Sequence, residues 1–380
     1  MTTTINKEQK NPNVPNLRFP EFEGEWKRTS LKDISTVNPK SASLEESFVY
    51  IDLEAVEKGI LKKQQTILRS EAPSRAQRVI MDGDILFQCV RPYQKNNYLH
   101  KGQNNDKTQW VASTGYAQIR TTESPSYLYH TLNTDGFNKK VMVRCTGSSY
   151  PAINSDDLST IHFYFSPQKE EQRKISQLFD LLDERIATQN KIIDKLQSLI
   201  KGIRHDIFND IQGEVLALSN IADIYQPQTI SSSDLTTEGY WVYGANGIIG
   251  KYEEYNHETE QICITCRGNT CGTVNYTQPK VWITGNSMVI NTDKYQRQVN
   301  KRFLFHYLSS YNFNSIVSGS GQPQIVRTPL EKIKVVLPTI EKQVRIANSI
   351  DIVSEKIDTE SLVLRLLENQ KQYLLRQMFI

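Results

Sequence analysis

No stretch of eighteen apolar residues occurs anywhere in the 380-residue chain, and a helix that crosses a bilayer needs about twenty. The opening residues, MTTTINKEQKNPNVPNLRFP, are polar and lack the apolar core of a secretory signal. A cytoplasmic protein without a membrane partner is the expectation. Cysteine is scarce: five residues, an odd number, cannot supply a disulfide framework for a chain of this size, which agrees with a reducing compartment. Neither sign of charge dominates, since 45 Lys and Arg against 42 Asp and Glu leave a net +3. Composition therefore neither demands nor excludes nucleic acid, because binding depends on how the charge is arranged.

Catalytic signatures are missing as well. The stretch YGANGIIGKY, Tyr243 to Tyr252, has the small residues and the Gly-Lys pair of a phosphate loop but not its spacing. A P-loop needs a glycine five residues before the second glycine, and a Ser or Thr after the lysine to hold Mg²⁺. Here Ala245 stands five before Gly250, and Tyr252 follows Lys251. The stretch reads instead as a β-hairpin, with Asn246-Gly247 as a type I′ turn between Tyr, Val and Ile residues. There is no Gly-rich loop after a strand for S-adenosylmethionine, and no Asn-Pro-Pro or Asp-Pro-Pro tetrapeptide ending in an aromatic. These gaps predict a chain that is not itself an enzyme. His257, Cys263, Cys266 and Cys271 could in principle ligate zinc. Cys263 and Cys266 occupy apolar positions of a strand, however, where a free thiol behaves as a small hydrophobe, so no metal is expected.

What the chain does contain is a repeat. PQKEEQRKISQLFDLLDERIATQNKIIDKL from Pro167 aligns without a gap on PTIEKQVRIANSIDIVSEKIDTESLVLRLL from Pro338, matching Glu170 with Glu341, Gln172 with Gln343, Asp180 with Asp351, Glu184 with Glu355 and Phe208 with Phe379. Upstream, GSSYPAI (Gly147 to Ile153) resembles GSGQPQI (Gly319 to Ile325), and STG (Ser113 to Gly115) resembles ITG (Ile283 to Gly285). The chain is two copies of one unit.

Each aligned segment predicts a long helix with a proline at its first position and acidic residues in the first turn, where the helix dipole favours them. Gly213 is the expected stop of the first. Apolar residues at Ile175, Phe179, Leu182, Ile186, Ile193, Leu196, Ile200, Ile203 and Ile207 step by fours and threes, as a coiled-coil seam does, interrupted only by Gln189. The second helix repeats the seam through Ile346, Ile350, Val353, Ile357, Leu364, Leu367, Leu374 and Met378, interrupted at Glu360 and Lys371. Gln189 and Glu360 are equivalent and near mid-helix, so an antiparallel pair would set them face to face as a register-fixing polar pair.

The helical segments carry 14 basic and 14 acidic residues, the first arm 21 against 18 and the second 10 against 10. The helices thus read as a neutral strut between two mixed α/β arms with irregular sheets. The expected division is 1–166 and 212–337 for the arms, and 167–211 and 338–380 for the helices.

Two unlike arms, each followed by a similar long helix, resemble the specificity subunit of type I restriction-modification enzymes. The resemblance also rests on PNLRFPEFEGEWKRTSLKDI (Pro15 to Ile34), GDILFQCVRP (Gly83 to Pro92), the TGSSYPAIN and GSGQPQIV loops, P-x-x-E-x-Q at Pro167 and Pro338, and the YGANGIIG hairpin. It implies two target recognition domains, joined and separated by an antiparallel coiled coil with a pseudo-two-fold repeat, that read the halves of a bipartite, asymmetric double-stranded DNA site. It also implies two docked modification (methyltransferase) subunits, which would hold S-adenosylmethionine, restriction subunits in the full complex, and no cofactor on this chain. A stand-alone methyltransferase or endonuclease, or a coiled-coil scaffold that never touches bases, are the rival readings.

Base edges in the major groove are read by Arg, Gln, Asn and Ser on loops that follow strands. The expected readers of the first arm are Gln88, Arg91, Tyr93, Gln94, Lys95, Ser148, Ser149 and Tyr150. Those of the second are Tyr243, Asn246, Arg267, Asn269, Thr270, Ser318, Ser320, Gln322 and Gln324. About half are expected to touch DNA, the others to cap turns or satisfy backbone groups.

Overall fold

The four-and-three spacing produces two helices, Lys169–Asn209 and Ile340–Met378. Burial follows the seam: Ile175, Phe179, Leu182, Ile193 and Ile200 are buried in the first, Ile350, Leu367 and Met378 in the second. Both start two residues later than expected. Gln172 donates its backbone N–H to Gln168 and Gln343 to Thr339, so Pro167 and Pro338 lie just outside the caps rather than at the first helical position. The repeated glutamine explains this. Gln172 donates from its amide to the Ser166 carbonyl at 2.8 Å, and Gln343 to the Pro338 carbonyl at 2.9 Å, which folds the incoming chain back over the first turn. Past the first helix, a Cβ at Gly213 would collide with the Leu337 carbonyl, so only glycine lets the next strand approach.

The computed structural model describes residues 13–102, 108–245, 247–319 and 321–380. The chain divides into two compact units: one runs to Gln189 and takes in Val363–Ile380, the other is Asn190–Leu362. Each unit therefore holds one arm, the start of one long helix and the end of the other.

In the first unit a ribbon pairs Lys27–Ser30 with His162–Phe165. One antiparallel sheet runs in the order Ser35–Val37, Tyr116–Thr121, Ile85–Gln88, Tyr98–Leu99. A second runs Gln65–Leu68, Ser47–Ile51, Gln109–Ser113, Ala76–Ile80, with its central pair parallel. The principal core joins this arm to both helices. Phe379 stacks on Tyr127 (centroids 5.5 Å apart) and meets Trp26 edge-on at 6.1 Å and Phe179 at 5.6 Å. Phe179 opens one helix and Phe379 closes the other, so the helices run antiparallel in this unit.

The second unit repeats the plan. Its ribbon pairs Glu214–Ala217 with Lys334–Leu337, and its sheet runs Asp223–Tyr225, Ser287–Asn291, Ile262–Thr265, Val274–Tyr276. A three-stranded sheet, Gly247–Tyr252, Tyr240–Gly244, Trp282–Ile283, replaces the second sheet of the first unit. Phe208, the repeat partner of Phe379, packs edge-on against Phe303 at 5.6 Å and Tyr307 at 5.2 Å. Ile346 and Ala347 of the other helix join the same core, again antiparallel. The expected hairpin is present, but its turn is shifted: Gly247 already stands in the strand opposite Gly244, at φ +93°. Asn246 itself lies outside the described residues.

Candidate nucleic-acid interface

The two GS-rich segments build the same device. In the first unit Thr146 and Ala152 exchange both backbone hydrogen bonds, at 2.9 Å each, and Ile153 donates to the Cys89 carbonyl at 3.0 Å. In the second, Ser318 and Gln324 exchange bonds of 2.8 Å, and Ile325 donates to the Cys266 carbonyl at 3.0 Å. A five-residue loop is thereby pinned to the residues that leave the central strand. Gly147 (φ +89°) and Gly319 (φ +94°) open these loops in a conformation that side chains avoid, and a Cβ on Gly147 would lie 2.9 Å from the Tyr150 carbonyl.

What stands on the shared frame differs between the units. In the first, Ser148, Ser149 and Tyr150 are exposed, and the Arg91 guanidinium lies 4.4 Å from the centre of the Tyr150 ring, a cation–π contact. Arg91 and Lys95 both have left-handed backbones (φ +55° and +53°) around the short turn Pro92–Gln94. Such strain costs about 1–3 kcal/mol per residue and persists where surrounding contacts impose it. Those contacts are visible: Arg91 N–H donates to the Pro151 carbonyl at 2.8 Å, and Lys95 pairs with Asp135 at 2.7 Å. Tyr93 and Gln94 project outward. Gln88 does not; it is buried, accepting from the Asn96 N–H at 3.1 Å and donating to Gln94 at 3.0 Å. Its place is beneath the loop, which it holds.

In the second unit Arg267, Asn269, Thr270, Ser318, Gln322 and Gln324 are exposed. Arg267 and Gln324 form a β-bridge, and Gly268 N–H donates to the Pro323 carbonyl at 3.0 Å, so the two loops carrying these side chains adjoin. The hairpin end joins them, because Thr265 donates its hydroxyl to the Ala245 carbonyl and Ser287 to Gly244 at 3.1 Å. Tyr243, by contrast, is buried in a small core with Cys263, Val281, Ile283 and Val289. Ser320, like Asn246, lies outside the described residues.

Gln189 is buried at 8% exposure in the first unit. Glu360, in the second, is part-buried and paired with Lys356 one turn earlier. Burial pushes the thiol of Cys263 far up, and it raises Cys89 to about 11. His257 turns its Nε2 to the Tyr225 hydroxyl at 2.8 Å, and burial depresses it to about 4. Among the described residues no three His, Cys, Asp or Glu side chains gather as a metal would require, and no helix is long and apolar enough to cross a membrane.

Two glutamines, Gln172 and Gln343, were readable as repeat matches but not as clamps. Each accepts from the backbone N–H of the residue that caps an earlier helix of its arm, Ser124 at 3.4 Å and Asn300 at 2.9 Å. A histidine-aspartate pair in each unit was missed altogether. The repeat marks Asp180 and Asp351, and a signal for their partners was present: His130 in YLYHTL (127–132) and His306 in FLFHYL (303–308) stand at matching positions, offset by 176 residues rather than the 171 of the long helices.

The family described as "Type I restriction modification DNA specificity domain" matches residues 23–198 and again 211–369. The Escherichia coli protein described as "Type I restriction enzyme EcoprrI specificity subunit" is 28% identical over 156 residues, 40% of this chain and 37% of that protein. The "Type I restriction enzyme HindI specificity subunit" of Haemophilus influenzae is 24% identical over 214 residues, 54% of this chain and 46% of that protein. These matches span less than half the length of the curated relatives. In fold, a crystal structure of a type I restriction-modification S subunit from M. genitalium is similar with TM-score 0.67 at 16% identity, over 97% of this chain and 99% of that one. A structure described under complex assembly and conformational transition of the type I R-M system gives TM-score 0.54 at 21% identity, over 92% and 96%.

Proposed function

Since this chain belongs to the type I restriction modification DNA specificity family, we propose that it is the non-catalytic DNA-recognition subunit of a type I complex and reads a bipartite, asymmetric site. One observation carries the reading: a single loop-on-strand frame occurs twice and bears different side chains, Arg91 and Tyr150 in one unit, Arg267, Gln322 and Gln324 in the other. Equal frames with unequal side chains suit two unequal half-sites, as paired DNA-binding modules suit paired half-sites.

In this proposal the chain works in the cytoplasm. Its long helices dock two modification subunits that carry S-adenosylmethionine, and restriction subunits join the full complex. Gln189 and Glu360, polar positions in an apolar seam, would set the register of the helix pair. The near-neutral second arm implies weak DNA binding by this chain alone, with partner subunits adding phosphate contacts.

Mapping methylated bases in cells that carry this chain and its modification subunits tests the proposal. The expected result is one split motif with different halves. Methylation without sequence preference would leave only the scaffold reading. Methyl transfer from labelled S-adenosylmethionine to DNA by the purified chain alone would make it an enzyme.

A further inference from the structure

A trough of about 370 Å³ opens in the first unit between the outer face of the Lys27–Ser30/His162–Phe165 ribbon and the last turn of the helix Asp135–Arg144. Arg28 and Tyr164 sit opposite one another on the ribbon, with His162 beside them and Lys140 and Arg144 on the helical rim. Among the described residues none of Arg28, Lys140, Arg144 and His162 stands within ion-pair distance of a carboxylate. The acid nearest in sequence, Asp33, accepts from the Ser30 hydroxyl and N–H at 2.6 and 2.9 Å, and its charge acts on Lys32 and on His162. Lys140 donates to the His162 carbonyl at 3.1 Å, and Arg144 to the Asp157 carbonyl at 2.9 Å and the Thr160 hydroxyl at 2.7 Å, so the cations are held in place without being neutralised. Burial, and then the nearby Arg28 charge, lower the Lys140 pKa, as an uncompensated cluster requires.

Three cations, Arg28, Lys140 and Arg144, gathered around a concave surface without an ion-paired carboxylate among the described residues attract an anion. The trough also has a defined neighbour. Arg144 leads through Cys145 directly into the loop that presents Ser148, Ser149 and Tyr150. The second unit offers no counterpart: the ribbon positions that match Arg28, Tyr164 and His162 are Val215, Val336 and Lys334.

We propose that this trough is a phosphate-binding site, by which the first arm holds a backbone phosphate of the DNA outside the bases it reads. The inference rests on the DNA-recognition reading for the source of the phosphate. Contacts to phosphate position a protein on the duplex and carry no sequence information directly. The site therefore adds affinity and register without changing the motif.

The test uses the complex of this chain with its modification subunits, comparing wild type, the double variant Arg28→Gln/Lys140→Gln and the charge-conserving Arg28→Lys/Lys140→Arg. Observed affinity for duplex DNA is plotted against salt, where each neutralised phosphate contributes about −0.9 to the logarithmic slope. The glutamine variant is expected to flatten the slope by about one unit, with the methylation motif unchanged and the slope restored by the charge-conserving variant. An unchanged slope overturns the assignment to DNA. If the wild-type complex then binds AMP or inorganic phosphate saturably and the glutamine variant does not, the trough serves a free phosphate ligand; if neither binds, there is no phosphate site. A wild-type complex without sequence preference would sink the recognition reading instead, and the slope, measured on any duplex, would still decide the trough.

Discussion

His306 holds Asp351 with its Nε2, 2.8 Å from Oδ1, while Arg204 donates to its Nδ1 at 2.9 Å. A guanidinium can only donate, so Nδ1 is the acceptor and Nε2 carries the proton of a neutral ring. Arg302 completes the cluster by pairing with Asp351. The arm helix Lys301–Ser310 is thereby tied to both long helices. In the first unit His130 and Asp180 repeat the contact at 3.3 Å, but the position equivalent to Arg204 is the buried Leu375, and Nδ1 of His130 has no hydrogen-bond partner.

Asp351→Asn keeps an acceptor for His306 but removes the charge that offsets Arg302. A part-buried, charge-assisted bond of this kind is worth about 1.5–3 kcal/mol. Thermal melts should show a loss of that order, larger than for Asp180→Asn, whose partners are a hydroxyl, a neutral ring and the exposed Lys101. Equal losses would mean that Arg302 contributes nothing.

Acid should destabilise the second unit early. Burial, with Arg204 and Arg302 beside it, depresses His306 to about 4, below the ordinary 6.5. The unfolded chain takes up a proton there that the folded one refuses, so stability present above pH 6.5 is lost as pH falls from 6.5 towards 4. Asp351, held below its ordinary value chiefly by its bonds to Arg302 and His306 against the opposing effect of burial, extends the loss to lower pH. Hydrogen exchange at Lys301–Ser310 should accelerate across this window, and His306→Gln should shrink the step between pH 6.5 and 4, with His257, also depressed to about 4, supplying the remainder. A step of undiminished size in the variant would assign it wholly to another group.

Gly147→Ala places a Cβ against the Tyr150 carbonyl on a backbone at φ +89°. The left-handed conformation alone costs a non-glycine residue about 1–2 kcal/mol. The loop should shift while the pinned stem, Thr146 with Ala152, remains. Methylation mapping should find one half of the motif relaxed and the other intact, with the melting profile little changed. A motif unaltered in both halves would show that this loop does not read bases.

Arg91→Ala and Gln322→Ala belong to different units and should act on different halves. Each lost base contact typically costs about 1–3 kcal/mol of discrimination at its own position. Competition binding on duplexes altered in one half at a time resolves this. A variant that weakens all duplexes equally would place its side chain on the backbone rather than on a base.

The amino-acid order by itself determined the duplication and the two helices, because a seam of fours and threes and an ungapped repeat are local properties of spacing. It also marked the two candidate loops, since Gly147 and Gly319 open the same backbone device in both copies. Which side chains those loops present was decided by tertiary structure. Gln88 and Tyr243 are polar enough to pass as readers, yet Gln88 spends its amide on Gln94 and Asn96, and Tyr243 packs into a core that forms only when four separate segments meet. The closing of each arm by the end of the other copy's helix was decided there too. Phe208 and Phe379 match in sequence, but the buried rings they meet, Phe303 for one and Tyr127 for the other, are supplied by parts of the chain that come together only on folding. A spacing pattern records which face of a helix is apolar; what covers that face depends on contacts between residues far apart in the chain.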